Sequence, residues 1–314
     1  MADASPSRLG LRQGGSDSNE LFEKVFQSEI LTAFETKVKL KDKHRTRGID
    51  HGQSASFPAT FKANARYHTP GTEITGQTIP HSDVVITLDD MLISDVFVAK
   101  IDELKASYDF RAPYSKELGD ALALFYDKNV ARNLVLASRG AALFTGDQGG
   151  GALTAAGFAT TAATLIDGFA DATQAMEEKD VPVEDYPIYA ALKPAQWYLL
   201  AADEKNINKD YQGEGSSRQL VLTTMAGVNI VKSNAFPWGV NDSANSNIPA
   251  KYRANFTNTL GVVWIEAAAG TLQLAGLEFE EAWDTRRQGT LMLAKMAVGH
   301  GTLRTKCAIE LKIA

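Results

Sequence analysis

An α+β chain is what this sequence predicts. Three observations carry that reading: a helical repeat sustained from Pro113 to Leu143, a two-armed β pattern over residues 53–100, and alternating apolar runs through the last fifty-five residues. In the helical stretch Leu118, Leu122 and Tyr126 recur every fourth residue, and Val130, Leu134, Ala137 and Ala141 continue the line. Pro113 suits a first turn, Ser115 is a second cap, and Gly140 and Gly146 are stops. At about 1.5 Å per residue such a helix spans roughly 46 Å, long enough to act as a beam along which other elements lie.

The chain has 314 residues, 44% hydrophobic and 22% charged, a composition with ample core. Its net charge of −6 argues against a protein built to grip nucleic acid. Cys307 is the single cysteine, so no intrachain disulfide can form and a reducing compartment is expected. No window has the apolar length of a membrane span, and residues 1–20 lack the apolar core of a signal peptide. Asn241-Asp-Ser243 and Asn255-Phe-Thr257 match glycosylation acceptors by chance alone.

Taken in order, residues 1–20 are polar and read as disordered or as an arm that orders on contact. Glu20–Phe34 reads as a short helix, with Leu21, Phe22, Val25, Phe26, Ile30, Leu31 and Phe34 on one side. Residues 37–47 carry Lys37, Lys39, Lys41, Lys43, Arg45 and Arg47 at every odd position. On an extended strand all six cations point one way, about 6.7 Å apart. A solvated charge run is the plain reading. A basic rail against a neighbour's carboxylates, or against phosphates, is the sharper one.

The β pattern then goes out over Ser56–Tyr67, turns at His68–Gly76 and returns over Val84–Val98. A two-stranded ribbon is marginal in water, so it must lie on its own body or on another subunit. Thr145–Gly151 is glycine-rich but lacks both the Walker and the dinucleotide spacing. It reads as a flexible hinge rather than a phosphate cradle. A second helix spans Ala162–Glu178, a strand Tyr186–Leu192, and Pro194 opens a helix through Trp197 and Leu200. Asn206–Ser217 is a polar loop and Gly227–Ser233 a strand. Phe236–Asn258, rich in Asn, Ser and Pro, reads as a surface loop. Val262–Glu266 is a strand. Leu277, Phe279 and Trp283 share a face of the next, and Met292, Ala294, Met296 and Val298 a face of the third. Gly299-His-Gly301 turns the chain, and Cys307–Ile313 returns it.

No reaction centre emerges. His44, His51, His68, His81 and His300 show no zinc-helix spacing, and there is no G-x-S-x-G. Asp89-Asp90 and Glu280-Glu281 are sequence neighbours, which strands point to opposite faces. No catalytic residue, cofactor or metal site is predicted. His300 reads as a turn residue.

The order of elements resembles the HK97-like shell-protein fold of tailed bacteriophages. Closer still, Phe22–Phe34, Ser54–Pro58 with Ala65–Tyr67 and Pro70-Gly71, and Ala294–Arg304 look like the major capsid proteins of T7-like phages. The resemblance implies an N-terminal arm over 1–52, an extended β-hairpin E-loop over 53–98, a P-domain over 99–150 with spine helix 113–143, an A-domain over 151–265, and closing P-domain strands over 266–314. It implies hexamers and pentamers in an icosahedral shell around double-stranded DNA, with a scaffolding protein and a portal as partners. The protein would lie in the virion after assembly in the bacterial cytoplasm, close to packaged DNA and without a membrane. The expected assembly surface comprises the basic rail, Phe57, Arg66, Tyr67, Pro70 and Gly71 of the ribbon, and Asp89, Asp90 and Asp95. Two rivals remain: an encapsulin-like compartment, and a soluble enzyme using Gly149–Gly151.

Overall fold

A computed structural model describes residues 30–35, 37–101, 111–202 and 224–313. The strands are β1 (Arg45–Gly48), β2 (Ser54–Thr60), β3 (His81–Thr87), β4 (Leu92–Ala99), β5 (Gly151–Thr154), β6 (Ile188–Leu192), β7 (Thr224–Met225), β8 (Val228–Lys232), β9 (Thr259–Ile265), β10 (Ala269–Asp284), β11 (Gly289–Thr302) and β12 (Ala308–Lys312). The helices are α1 (Arg111–Ser138), α2 (Ala162–Glu177) and α3 (Pro194–Ala201). The chain forms two compact units. The smaller takes in the described parts of Met1–Val38, Asp90–Tyr126 and Ala275–Val298; the larger takes in Lys39–Asp89, Asp127–Leu274 and the described part of Gly299–Ala314.

In the smaller unit β4 runs antiparallel to β11, with Phe97 opposite Leu291 and Val96 opposite Met292. Met292, Ala294, Met296 and Val298 are buried, the single face that their alternation predicts. Residues 30–35 are helical, with Ile30 and Phe34 buried and the Phe34 ring edge-on to Tyr126 of α1 at 6.1 Å. Leu31, expected on the covered side, is exposed. The rest of the expected Glu20–Phe34 helix lies outside the described residues.

The larger unit is built on a six-stranded sheet, β5-β12-β9-β6-β8-β7. β9 and β12 sit inside it, and all seven residues of β9 are buried. A strand covered on both faces reads as a continuous apolar run, as Leu260–Ile265 does. α2 packs on β9 and β12 through Leu165, Phe169, Ala172 and Met176, the stripe its periodicity predicts. A separate hairpin pairs β2 with β3, Phe57 opposite Val84.

α1 ends at Ser138, not Leu143. Its second half is buried almost all round, polar residues included, so each of these needs a partner. Asp127 accepts the Lys39 and Leu40 backbone N–H groups at 2.9 and 3.2 Å, and Arg132 donates to Asp242 at 2.9 and 3.0 Å. Glu310 of β12 is fully buried beneath Arg139, which donates to both its oxygens at 2.6 and 2.7 Å. Burial alone would raise that carboxyl; the hydrogen bonds from Arg139 and Thr259 outweigh it and hold it below the usual carboxylate range.

Four further expectations are corrected. The returning arm is two strands, because Leu88–Met91 leaves the ribbon: β3 pairs with β2, β4 with β11. The glycine-rich loop is packed rather than hinged, since a Cβ on Gly150 would stand 2.2 Å from the Ser138 carbonyl oxygen. Only glycine lets the chain pass so close to the end of α1. Gly299-His-Gly301 is not a turn but the last part of β11, where a Cβ on Gly299 would lie 2.3 Å from the Thr87 carbonyl.

The fourth correction concerns Phe236–Asn258, which is exposed over most of its length, as expected, but sends its large apolar side chains into the core. Phe236, Trp238, Ile248, Tyr252 and Phe256 are buried, with Phe236 stacked on Trp238 at 4.8 Å. Asn241 and Asn255 cap their own loops: each Oδ1 accepts the backbone N–H two residues on, at 3.1 and 3.0 Å. These side chains hold the exposed turns in shape, and the aromatics between the turns are buried. The turns also account for the Asn-x-Ser and Asn-x-Thr patterns. The polar loop Asn206–Ser217 lies outside the described residues.

Candidate functional site

The expected rail is not an extended row. Leu40 and His44, four residues apart, are both buried. Four is a helical spacing, and Lys41–Lys43 accordingly form a 3₁₀ turn between them. Only Arg45 and Arg47 lie on a strand, β1, which runs parallel to β10. The cations therefore have separate uses. Lys37 pairs with Asp120 at 3.1 Å. Lys39 donates to the Lys232 carbonyl at 3.0 Å, and Lys43 to that of Lys39 at 2.6 Å. Arg47 lies over the Phe57 ring, 5.7 Å from its centroid, and donates to the Ser56 carbonyl. Lys41 and Arg45 are solvent-exposed.

The carboxylates divide in the same way. Asp89 accepts from the Tyr252 hydroxyl at 2.5 Å and pairs with Lys251 at 2.7 Å, so it serves its own chain. Glu278 and Glu280 pair with Lys295. Asp90 and Asp95 are exposed.

The ribbon is one continuous piece. Beyond β2 the two arms stay joined by Phe61 N–H to the Pro80 carbonyl, by Gln77 to Asn64 and by Arg66 to Thr75. The tip is a tight turn, with Gly71 at φ 91° and Thr72 donating to the Thr69 carbonyl. Residues 62–80 are exposed throughout, Tyr67 at 105% and Ile74 at 72% of full accessibility. Phe57 is half-buried at the base, beside a small core of Ile86, Leu272 and Leu303.

One constellation has no signal in the sequence. His44 Nδ1 lies 2.7 Å from the Leu40 carbonyl, which can only accept, so Nδ1 carries the proton. His44 Nε2 then accepts from the Thr271 hydroxyl at 2.6 Å, and the Thr271 oxygen accepts from His300 Nδ1 at 2.7 Å. The His300 backbone N–H donates to the Tyr252 hydroxyl at 2.9 Å, which reaches Asp89. Both imidazoles are buried and neutral: burial, against the Leu40 carbonyl and Asp42, lowers His44 to about 4, and burial first, then His44 and Lys251, lowers His300. A neutral chain of hydrogen bonds between strands fastens them together, and burial leaves it no route to a substrate. Among the described residues no group of His, Cys, Asp and Glu could hold a metal ion, and no helix is long and apolar enough to cross a membrane.

The model of the Gp10A-like family, described as major capsid protein, matches residues 56–312. The major capsid protein of Escherichia phage T7 is 28% identical over 331 aligned residues, covering 96% of this chain and 95% of that one. The capsid structure of cyanophage P-SCSP1u superimposes with a TM-score of 0.80 at 36% identity, covering 100% of this chain and 99% of the other. The mature capsid of bacteriophage PhiM1 follows at 0.74 and 17% identity, covering 88% and 87%, a likeness of fold.

Proposed function

We infer what this chain does from the family to which it belongs, the Gp10A-like major capsid proteins. It is a structural protein, not an enzyme, and many copies assemble into the icosahedral shell of a tailed phage around double-stranded DNA. Its α+β fold is that of other tailed-phage capsids.

The finer reading extends this. We place the chain with the T7-like shells, forming hexamers and pentamers with the help of a scaffolding protein and a portal in the bacterial cytoplasm. In that reading residues 1–52 are the arm, 53–98 the E-loop, 99–150 and 266–314 the P-domain, and 151–265 the A-domain. The exposed ribbon tip is the observation that carries it: Tyr67 and Ile74 in open water need a neighbour's surface. The contact residues are Arg66, Tyr67, Pro70 and Gly71 at the tip, with Lys41, Arg45, Asp90 and Asp95 as exposed charges elsewhere. Contacts that are individually weak suffice, because a closed shell engages many at once.

Negative-stain imaging of the full chain, alone and with its scaffold, tests the reading. Closed shells are expected, and a small oligomer of fixed size under both conditions would overturn it. Nuclease-protected DNA inside shells from infected cells separates a phage capsid from a protein-cargo compartment.

A further inference from the structure

The ribbon leaves the body of the larger unit at Thr60–Lys62, and there the chain makes two contacts unlike the rest of its exposed length. The Phe61 ring lies on the Phe144 ring, centroids 5.2 Å apart and tilted by 34°. The Lys62 ammonium pairs with the Asp180 carboxylate. A small cavity of about 80 Å³ lies behind them, lined also by Asp147, Arg304 and Lys306. We propose that Phe61 and Lys62 are a latch: they hold the base of the ribbon on the body, and their release frees residues 62–80 to swing as one piece.

The two sides of the contact differ in build, and that difference makes it a latch. The body side is rigid. Phe144 belongs to the segment after α1, which is pinned by the Thr305 hydroxyl on the Ala141 carbonyl at 2.8 Å and by Lys306 on Asp147 at 3.0 Å. The same segment is closed off by the backbone packing at Gly149 and Gly150. Asp180 has a φ of 54°, a left-handed backbone that Asn and Asp tolerate and most residues do not. Its N–H donates to the Glu177 carbonyl at 2.8 Å, at the end of α2. The turn thus offers a carboxylate where a glycine would be easier, and that carboxylate faces Lys62.

The ribbon side is the reverse. After the Phe61 N–H bond to Pro80 no strand pairing remains, and past Lys62 the hydrogen bonds, Gln77 to Asn64 and Arg66 to Thr75, tie the ribbon's arms to one another. One ring contact and one solvent-exposed ion pair are weak enough to open and specific enough to close again. The ion pair is open to screening by salt, and the ring contact is not. The groups facing Asp180 here are Lys62, with Lys306 beyond; Asp147 is committed to Lys306.

Hydrogen exchange and limited trypsin cleavage on the full-length chain, with wild type and variants in one assembly state, test the latch. Cleavage is read after Arg66, which lies in the exposed tip. Phe144→Ala is expected to raise cleavage and ribbon exchange roughly tenfold, with exchange in β9 and β12 unchanged. Asp180→Asn keeps a residue suited to the left-handed turn and should raise both severalfold at low salt, with the gap from wild type closing at 1 M salt. Lys62→Met added to Asp180→Asn should change nothing further. Ribbon exchange equal to wild type in Phe144→Ala and Asp180→Asn would overturn the proposal. So would a rise in Asp180→Asn that persists undiminished at 1 M salt. Should Phe144→Ala loosen the whole chain, Asp180→Asn alone decides.

Discussion

The buried imidazole pair makes stability depend on pH in a direction that can be worked out. His44 is neutral in the fold, with its pKa lowered from 6.5 to about 4. An unfolded chain binds a proton there near pH 6.5, whereas the folded chain does not until about pH 4. Between those values the unfolded state holds more protons, so stability falls as pH falls, and the slope ends once the folded imidazole also charges. At about 1.4 kcal/mol per tenfold change in proton affinity, the whole window is worth roughly 3 kcal/mol, and the part from pH 7 to pH 5 roughly 2 kcal/mol. His300 is shifted the same way and adds to the effect. His44→Gln removes one titration while keeping a hydrogen-bonding side chain. Urea unfolding of unassembled full-length subunits at pH 7 and pH 5 reads the difference. Relative to wild type, the variant should be clearly less stable at pH 7 and recover roughly 2 kcal/mol of that deficit at pH 5. A deficit equal at both pH values would show that His44 is not held neutral by burial, and the directed chain through Thr271 would fall with it.

Three other outcomes are expected. Gly119→Ala ought to stabilise an isolated helix by up to about 1 kcal/mol, but here a Cβ would stand 2.7 Å from the Ile30 carbonyl oxygen; a lower Tm is expected, and a higher one would show that residues 30–35 do not cross α1 there. Arg139→Met takes from the buried Glu310 its two-pronged partner and leaves it Lys312 as its ion-pair partner, at 3.3 Å; it should cost about 3 kcal/mol in urea unfolding, with Arg139→Met/Glu310→Met recovering most of it. Deleting residues 66–82 should leave a folded, soluble chain that forms no closed shells by electron microscopy, since those residues contribute almost nothing to the core.

Local pattern determined much of this protein. The α2 stripe and the buried face of β11 follow from period, because each meets its environment along one repeating face, and the Val262–Ile265 part of β9 follows from apolarity alone, being covered on both faces. The exposed tip was legible as well, since Pro70 and Gly71 specify a turn whatever surrounds it. Tertiary structure decided the rest. The period-2 row of cations suggested a strand, yet burying Leu40 and His44 together required a helical turn, and core packing overrode the charge pattern. Asp89 looked like surface charge, but Tyr252, more than 160 residues away, turns it inward. The loop after Phe236 is polar in composition and largely exposed, yet Phe236, Trp238, Ile248, Tyr252 and Phe256 are buried at irregular spacings that no period announces. His44, Thr271 and His300 carry no shared spacing; only the pairing of β1, β10 and β11 brings them within hydrogen-bond reach. Contacts between residues far apart in the chain leave no periodicity to read, and so the buried network and the latch at Phe144 and Asp180 exist only once the chain has folded.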